Sequence, residues 1–207
     1  MQLKELSERT GISPASIKFY LREGLLPAGQ SVHATRAEYS PQHVSRLELI
    51  QALRRVVGLN ITQIRNLLKL ADDGVPRLEL LAAVQRTVLQ LDEVGTDDGD
   101  VPTQGGDSVV RSRNWPDVPS DARKALNTHL ERMTNLGVPV ADEVLDAYSQ
   151  AVDNIAHFDI TASTAPDDVN QLILAAAVGM HLHGQLVLKL LALAQASHAI
   201  RRYQHDM

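Results

Sequence analysis

The 207 residues contain no cysteine. That single absence excludes disulfides, thiolate-ligated metals, thiol redox sensing and cysteine nucleophiles. Aromatic side chains are scarce as well, with one Trp, two Phe and four Tyr, so any core must be built from aliphatic residues. No nucleophile elbow, phosphate loop or HExxH pattern occurs, so enzymatic function and a cofactor are not expected. No secretory leader is evident, because the chain opens on an amphipathic stretch with Lys4, Glu5, Glu8 and Arg9. A cytoplasmic location is therefore expected.

Metal chemistry is not expected either. The run TDDGD lacks the alternating oxygens and closing glutamate of a calcium loop and reads as part of a Gly- and Asp-rich flexible linker, 95–106. His181 and His183, two apart on a helix, project about 200° from each other and cannot ligate one ion together with His198.

What is present is an uneven distribution of charge. Residues 1–71 hold ten Lys and Arg against five Asp and Glu, a balance of +5, and the remainder holds ten against twenty, a balance of −10, which sum to the net −5. A basic first third suits a chain that meets phosphate with one end only. An ordinary helical protein with uneven surface charge would look the same, so the decision rests on the pattern within that third. There Leu3, Leu6, Ile12, Ile17 and Leu21 are spaced as the facing sides of two short helices closed around a turn at Gly11. Ser13 can cap the second helix, Pro14 occupies its first position and Gly24 ends it. Ser16, Lys18, Phe19, Tyr20 and Arg22 remain near the outward surface, and such a helix fits the major groove of B-DNA.

The run IKFYLREGLLP, preceded by LSERTGISPAS and followed by AEYSPQHVSRL, resembles the N-terminal domain of MerR-family transcriptional regulators. Ile17, Lys18, Phe19, Tyr20, Glu23, Gly24 and Leu25 fill the family's pattern of an aliphatic residue, a basic residue, two aromatics, a variable pair and Glu-Gly-Leu. The match departs in the wing, where many members carry Gly-Tyr-Arg and this chain has Thr35-Arg36-Ala37-Glu38-Tyr39. The resemblance implies a winged helix-turn-helix over residues 1–73. Ser16, Lys18, Phe19, Tyr20 and Arg22 would meet bases and nearby phosphates, and Arg36 and Tyr39 the wing's share. Ser40 and Pro41 start a further helix to about Val57, with an inner stripe of Val44, Leu47, Ile50, Leu53 and Val57. Arg46, Arg54 and Arg55 lie off that stripe, where they reach phosphate or only solvent; Arg46 and Arg54 join the candidate DNA-binding set. Asn60 with Gln63 has the form of a capping box for the next helix.

Residues 77–94 place Leu78, Leu81, Val84, Val88 and Leu91 at alternating three- and four-residue spacings, suited to an antiparallel coiled coil. The resemblance implies that this helix pairs two subunits on a palindromic site; the alternative is that the stripe packs on its own chain. Beyond the linker, residues 107–207 read as a helical bundle that senses a signal. Helices are expected over about 120–136, with Ala122, Ala125, Leu126, Leu130 and Met133 inward, over 141–158, with Val144, Leu145, Tyr148, Val152 and Ile155 inward, and over 167–204. The last is apolar nearly all round between Leu172 and Ala196 and is expected to be the centre of its domain. Trp115, Tyr148, His181 and His183 are candidate lining residues for a small, partly apolar organic effector.

The fold class expected is thus all-α with a small β wing. The function expected is a homodimeric, sequence-specific DNA-binding regulator, with promoter DNA, RNA polymerase holoenzyme and a possible effector as partners. In the resembling family, effector binding bends and undertwists an over-long promoter spacer. Competing readings are an architectural DNA-bending protein of excisionase type, which the acidic helical second half counts against, and an enzyme or ligand-sequestering protein carrying a DNA tether.

Overall fold

The computed structural model describes residues 1–33, 36–91, 104–161 and 166–204. Helices α1 (Leu3–Thr10) and α2 (Pro14–Arg22) are followed by strands β1 (Gln30–His33) and β2 (Arg36–Glu38). Helix α3 (Pro41–Ala52) runs into a π-helical turn at Leu53–Val57, and α4 (Ile61–Asp72) and α5 (Arg77–Val88) follow. Then come α6 (Gln104–Ser112), α7 (Asp121–Asn135), α8 (Asp142–Thr161) and α9 (Val169–Tyr203). The expected all-α fold with a β wing is the fold observed: β1 and β2 pair antiparallel as a two-stranded sheet, with the register slipping between Ser31 and His33.

The helix boundaries follow the local chemistry. Asn60 accepts from the Gln63 amide at 2.9 Å while the Gln63 side chain accepts from the Asn60 amide at 3.0 Å, the reciprocal box expected at the start of α4. The helix beginning at Pro41 does not stay α-helical to Val57 as expected. Its last five residues widen to π geometry before Gly58 leaves at φ 85°, and the Leu59 amide bonds back to the Leu53 carbonyl at 2.9 Å. Such π turns inside α-helices cluster at functional sites.

The chain divides into two compact units, Met1–Leu89 with Asp167–Met207, and Gln90–Pro166. This overturns the assignment of residues 107–207 to one C-terminal bundle. The first turns of α9 pack on α3, on the π turn and on α5. Ile173 and Ala177 join Leu6, Ile17, Leu47, Leu49, Ile50, Leu53, Leu67, Leu80 and Val84 in a single aliphatic core. The reason lies in α3 and α5. Helix α3 and its π turn bury Leu49 in addition to the expected Val44, Leu47, Ile50 and Leu53, so this segment is apolar on more than one side and needs a second cover.

The same packing corrects the dimer stripe. Leu80, Ala83, Val84 and Val88 of α5 are buried in the core of their own chain, Leu78 is 81% exposed, and the chain leaves the helix at Leu89, with Gln90 at φ 53°. Leu91 therefore lies beyond the helix, and Val84 and Val88 are already covered. Twelve residues make about three turns, short of the two heptads expected. The long helix is not the enclosed centre of a domain either: beyond Met180 it is largely exposed. Among the described residues it is one helix long and apolar enough to cross a membrane by length and composition.

In the second unit α6 packs on α7 and α8. Of the linker expected at 95–106, residues 95–103 lie outside the described residues, and Gln104–Gly106 begin α6. Gly106 lies so close to α7 that its amide donates to Asn127 Oδ1 at 2.8 Å, and a Cβ at Gly105 would stand 2.6 Å from Leu130 Cδ1. Ser120 caps α7 by accepting from the Arg123 amide at 3.2 Å. The Arg123 guanidinium, which donates hydrogen bonds to Asp117 and to Asp107, is held by them above its ordinary pKa. The inward face of α8 is not the one expected. Val144, Tyr148 and Val152 are exposed, while Ser149 is buried, Asp146 and Gln150 meet Arg113, and Asp153 accepts from Trp115 Nε1 at 2.6 Å. Polar ties to α6 and to Trp115 set the rotation of α8 in place of its apolar stripe.

The docking of α9 can be tested by chemical denaturation of the full chain. Ile173→Ala is expected to destabilise the unit formed by 1–89 and 167–207 by about 2–5 kcal/mol, as for other buried large-to-small changes. Leu78→Ala is expected to stay within about 0.5 kcal/mol of the parent, as for a surface site. Equal stability of the two variants would place α9 elsewhere.

Candidate nucleic-acid interface

Helix α1 ends in Gly11 at φ 67°, where a residue with a Cβ would be strained. The turn is closed by Ser7 Oγ donating to the Ile12 carbonyl at 2.6 Å, with Ile12 itself buried. Ser13 then caps α2 by accepting from the Ser16 amide at 3.2 Å, and Pro14 takes the first helical position. Ile17 and Tyr20 face the core. The opposite side, which carries Lys18 and Arg22 one turn apart, is exposed. At its end α2 is fixed by Gly24 at φ 70° and by the Leu25 and Leu26 amides, both donating to the Tyr20 carbonyl at 2.9 and 3.2 Å.

The geometry divides the candidate residues into those that can touch DNA and those that hold the reader in shape. Lys18 and Arg22 belong to the first group, and so do Arg54 and Arg55, both exposed on the π turn. Arg54 Nη1 donates to the Tyr20 hydroxyl at 3.3 Å, which sets a cation beside α2. Tyr20 is 5% exposed and so positions Arg54; the expectation that it reads bases does not hold, because its ring belongs to the core. Phe19 is half-buried and packs edge-on against Tyr20, with ring centroids 5.7 Å apart. Ser16 is half-buried, its hydroxyl 3.0 Å from that of Ser13 at the cap.

Two further expectations are corrected. Tyr39 is buried, stacked edge-on against His43 at 5.2 Å, and its backbone pairs with Met1 in both directions at 2.8 and 2.9 Å. It anchors the base of the wing. Arg46 is also buried, with its guanidinium paired to Asp72, so it joins α3 to the end of α4 and offers no free charge. Both misreadings share a cause: residue type suggested a contact that only burial could deny. Arg36 lies in β2, opposite His33. The wing's close approach requires Gly29, where a Cβ would stand 2.8 Å from the Glu38 carbonyl oxygen.

One positioning residue was not singled out from the sequence. Arg65 of α4 donates from Nε to the Glu23 carbonyl at 3.2 Å and from Nη2 to Glu23 Oε2 at 2.6 Å, clamping the end of the reading helix. The two residues are 42 apart in sequence, so no local pattern reveals them. Their half-exposed pair is worth at most about 1 kcal/mol, and its value lies in orientation.

The speculative effector residues are not gathered into one unit. Trp115 and Tyr148 belong to the second unit, where the Trp115 indole is committed to Asp153 and Tyr148 is exposed. His181 and His183 belong to α9, where His181 Nε2 is 2.9 Å from Gln185 Nε2. Among the described residues no group of His, Asp or Glu is placed to hold a metal.

Three substitutions test this division by DNA titration at several salt concentrations. Arg22→Ala and Arg55→Ala are each expected to lower the salt slope of binding by about one. Asp72→Asn is expected to leave that slope unchanged while costing on the order of 1–3 kcal/mol of stability, because the buried Arg46 loses its charged partner. A change in slope for Asp72→Asn would return Arg46 to the DNA surface.

Residues 1–71 match a protein family described as the MerR HTH family of regulatory proteins. No curated protein matches the chain. Among solved structures the chain is similar to one described as the putative transcriptional regulator SCO5550 from Streptomyces coelicolor A3(2). The two share 25% identity and a TM-score of 0.64, over 98% of this chain and 98% of that one. With a capped basic helix, a glycine turn and a paired wing in place, residues 1–71 carry the features of the MerR HTH family whose model they match, and the chain is similar to DNA-binding transcription regulators.

Proposed function

We propose that the protein is a homodimeric, sequence-specific regulator that binds a palindromic promoter site with residues 1–71 and answers to a signal received elsewhere in the chain. The observation that carries this reading is the exposed basic face of α2. Lys18 and Arg22 lie one turn apart on a helix whose other face is locked into a core, and Arg54 is tethered to Tyr20 beside it. A rigid helix with outward cations is what base reading in a major groove requires. Lys18 would read base edges, Arg22, Arg54 and Arg55 would neutralise phosphate, and Arg36 would do so from the wing.

The regulatory step is proposed to work through DNA shape. Two reading helices on one dimer bend or undertwist the promoter, so that RNA polymerase holoenzyme meets correctly spaced elements only in one state of the protein. The packing of α9 on the π turn that carries Arg54 supports this reading, because it joins the C-terminal segment physically to the phosphate-contacting side chains. The signal is proposed to be a small organic ligand or a protein partner, and the protein is expected in the cytoplasm with its DNA. An architectural role of excisionase type would need no such segment.

A footprint on the DNA upstream of the protein's own gene tests the reading. A protected palindrome between the two promoter elements is expected; protection that spreads without a dyad would refute it and favour the architectural role. On the palindrome, Lys18→Ala is expected to lose about 1–3 kcal/mol of discrimination against random DNA. Equal losses on both DNAs would remove Lys18 from base reading.

A further inference from the structure

The second unit holds a cavity of about 230 Å³ between two of its helices. It is lined by Ser108, Val109 and Ser112 of α6 and by Asp142, Leu145 and Asp146 of α8. The two helices are fastened further along, where Arg113 meets Asp146 and Gln150 and the Trp115 indole meets Asp153. Toward the first turn of α8 the side chains that α6 contributes are short, and the space between them stays open.

The polar side chains of this lining accept hydrogen bonds and have none left to donate. Ser108 Oγ gives its proton to the Gly105 carbonyl at 2.8 Å and Ser112 Oγ gives its own to the Val109 carbonyl at 3.1 Å, so each hydroxyl offers only lone pairs. Asp142 and Asp146, one turn apart, add two carboxylates. The amides of Val144 and Leu145, which at a helix start would draw an anion, both donate to the Ala141 carbonyl at 3.0 Å. Charge narrows the choice further. Asp146 is paired with Arg113, whereas among the described residues no ion pair holds Asp142. One negative charge is therefore left for an occupant to meet. Val109, 4% exposed, and Leu145 give the remaining wall an aliphatic surface.

We propose that this cavity binds a small organic monocation, a primary ammonium on a compact hydrocarbon body. The ammonium donates to Asp142 and to the two serine oxygens, and the body lies against Val109 and Leu145. The inference rests on the reading of the protein as a signal-controlled regulator and gives its signal a chemical class. Size follows from volume: at ~30 Å³ for each water-sized group, the space takes about eight non-hydrogen atoms. A carboxylate or phosphate would meet acceptors alone. A neutral apolar molecule would desolvate Asp142 without replacing its hydrogen bonds. A bare metal ion would find no third carboxylate or imidazole, since among the described residues no such group gathers.

Three probes of one shape and different charge test this by titration calorimetry on the full chain. Cyclohexylammonium is expected to saturate one site per chain, and cyclohexanol and cyclohexanecarboxylate to bind at least about tenfold more weakly. Asp142→Asn is expected to weaken the ammonium at least about tenfold with unchanged far-UV circular dichroism. Glu143→Gln, which removes the same charge from the next residue but outside the lining, is expected to leave it unchanged. Carboxylate binding as tight as the ammonium, or no saturable ammonium binding, would overturn the proposal. Equal losses for the two variants would overturn it too, by reducing the effect to general attraction toward an acidic surface. The footprint separates this inference from the reading beneath it. Ammonium binding that depends on Asp142, with no protected DNA, supports the site and removes the promoter-switch reading. A protected palindrome in a protein that does not bind the ammonium removes only the site.

Discussion

Helix α3 is apolar on more than one side, and the arrangement of the first unit follows from how those sides are covered. In a core nearly without aromatics the cover has to come from many small aliphatic contacts, and no single plug can replace them. The reading pair α1 and α2 closes one part of that surface. The other is met by the first turns of α9, more than a hundred residues further along the chain, together with α5. Because Ile173 and Ala177 share one core with Leu6, Ile17 and Leu53, the DNA-binding part is not finished when its family pattern ends at residue 71. A segment outside the motif completes its packing.

That arrangement bears on how a signal could reach DNA. The π turn at Leu53–Val57 touches α9 on one side and offers Arg54 to Tyr20 of the reading helix on the other. Packed cores transmit displacement because they are close to crystal density and have little room to yield. The packing of α9 is thus continuous with Arg54, Tyr20 and α2. Arg65 and the Arg46–Asp72 pair brace the opposite end of the same assembly. Residue type alone would assign these cations to phosphate, but Arg65 holds the end of α2 and Arg46 ties α3 to α4.

Much of the reader was legible in the chain itself. Ser13-Pro14, Gly24 and the Asn60/Gln63 box are local punctuation, and each works through hydrogen bonds within three or four residues. The roles of Tyr20, Tyr39 and Arg46 were less legible. Each is a polar side chain in a motif known for contacting DNA, and whether it faces DNA or the core depends on neighbours 26 to 38 residues away. The stripe at Leu78, Val84 and Val88 was seen correctly as a helix-packing face, but periodicity does not say whose helix packs there. The same limit applies to Leu145 and Ser149, whose face of α8 was chosen by Arg113 and Trp115 through polar ties.

By itself the sequence determined that the core would be aliphatic, that thiol redox and thiolate-metal chemistry were absent, that the first third was basic, and where most helices start and stop. Those properties are set by composition and by interactions a few residues long. Tertiary structure decided the partition of the C-terminal half into two units, the burial of α5 against its own chain, the division of the arginines between surface and core, and the exposure of the long apolar stripe on α9. Apart from the arginines, which polar partners placed, each of these is a choice among apolar faces of similar hydrophobicity. Hydrophobic burial is non-directional, so only the three-dimensional fit of one face on another could make the choice.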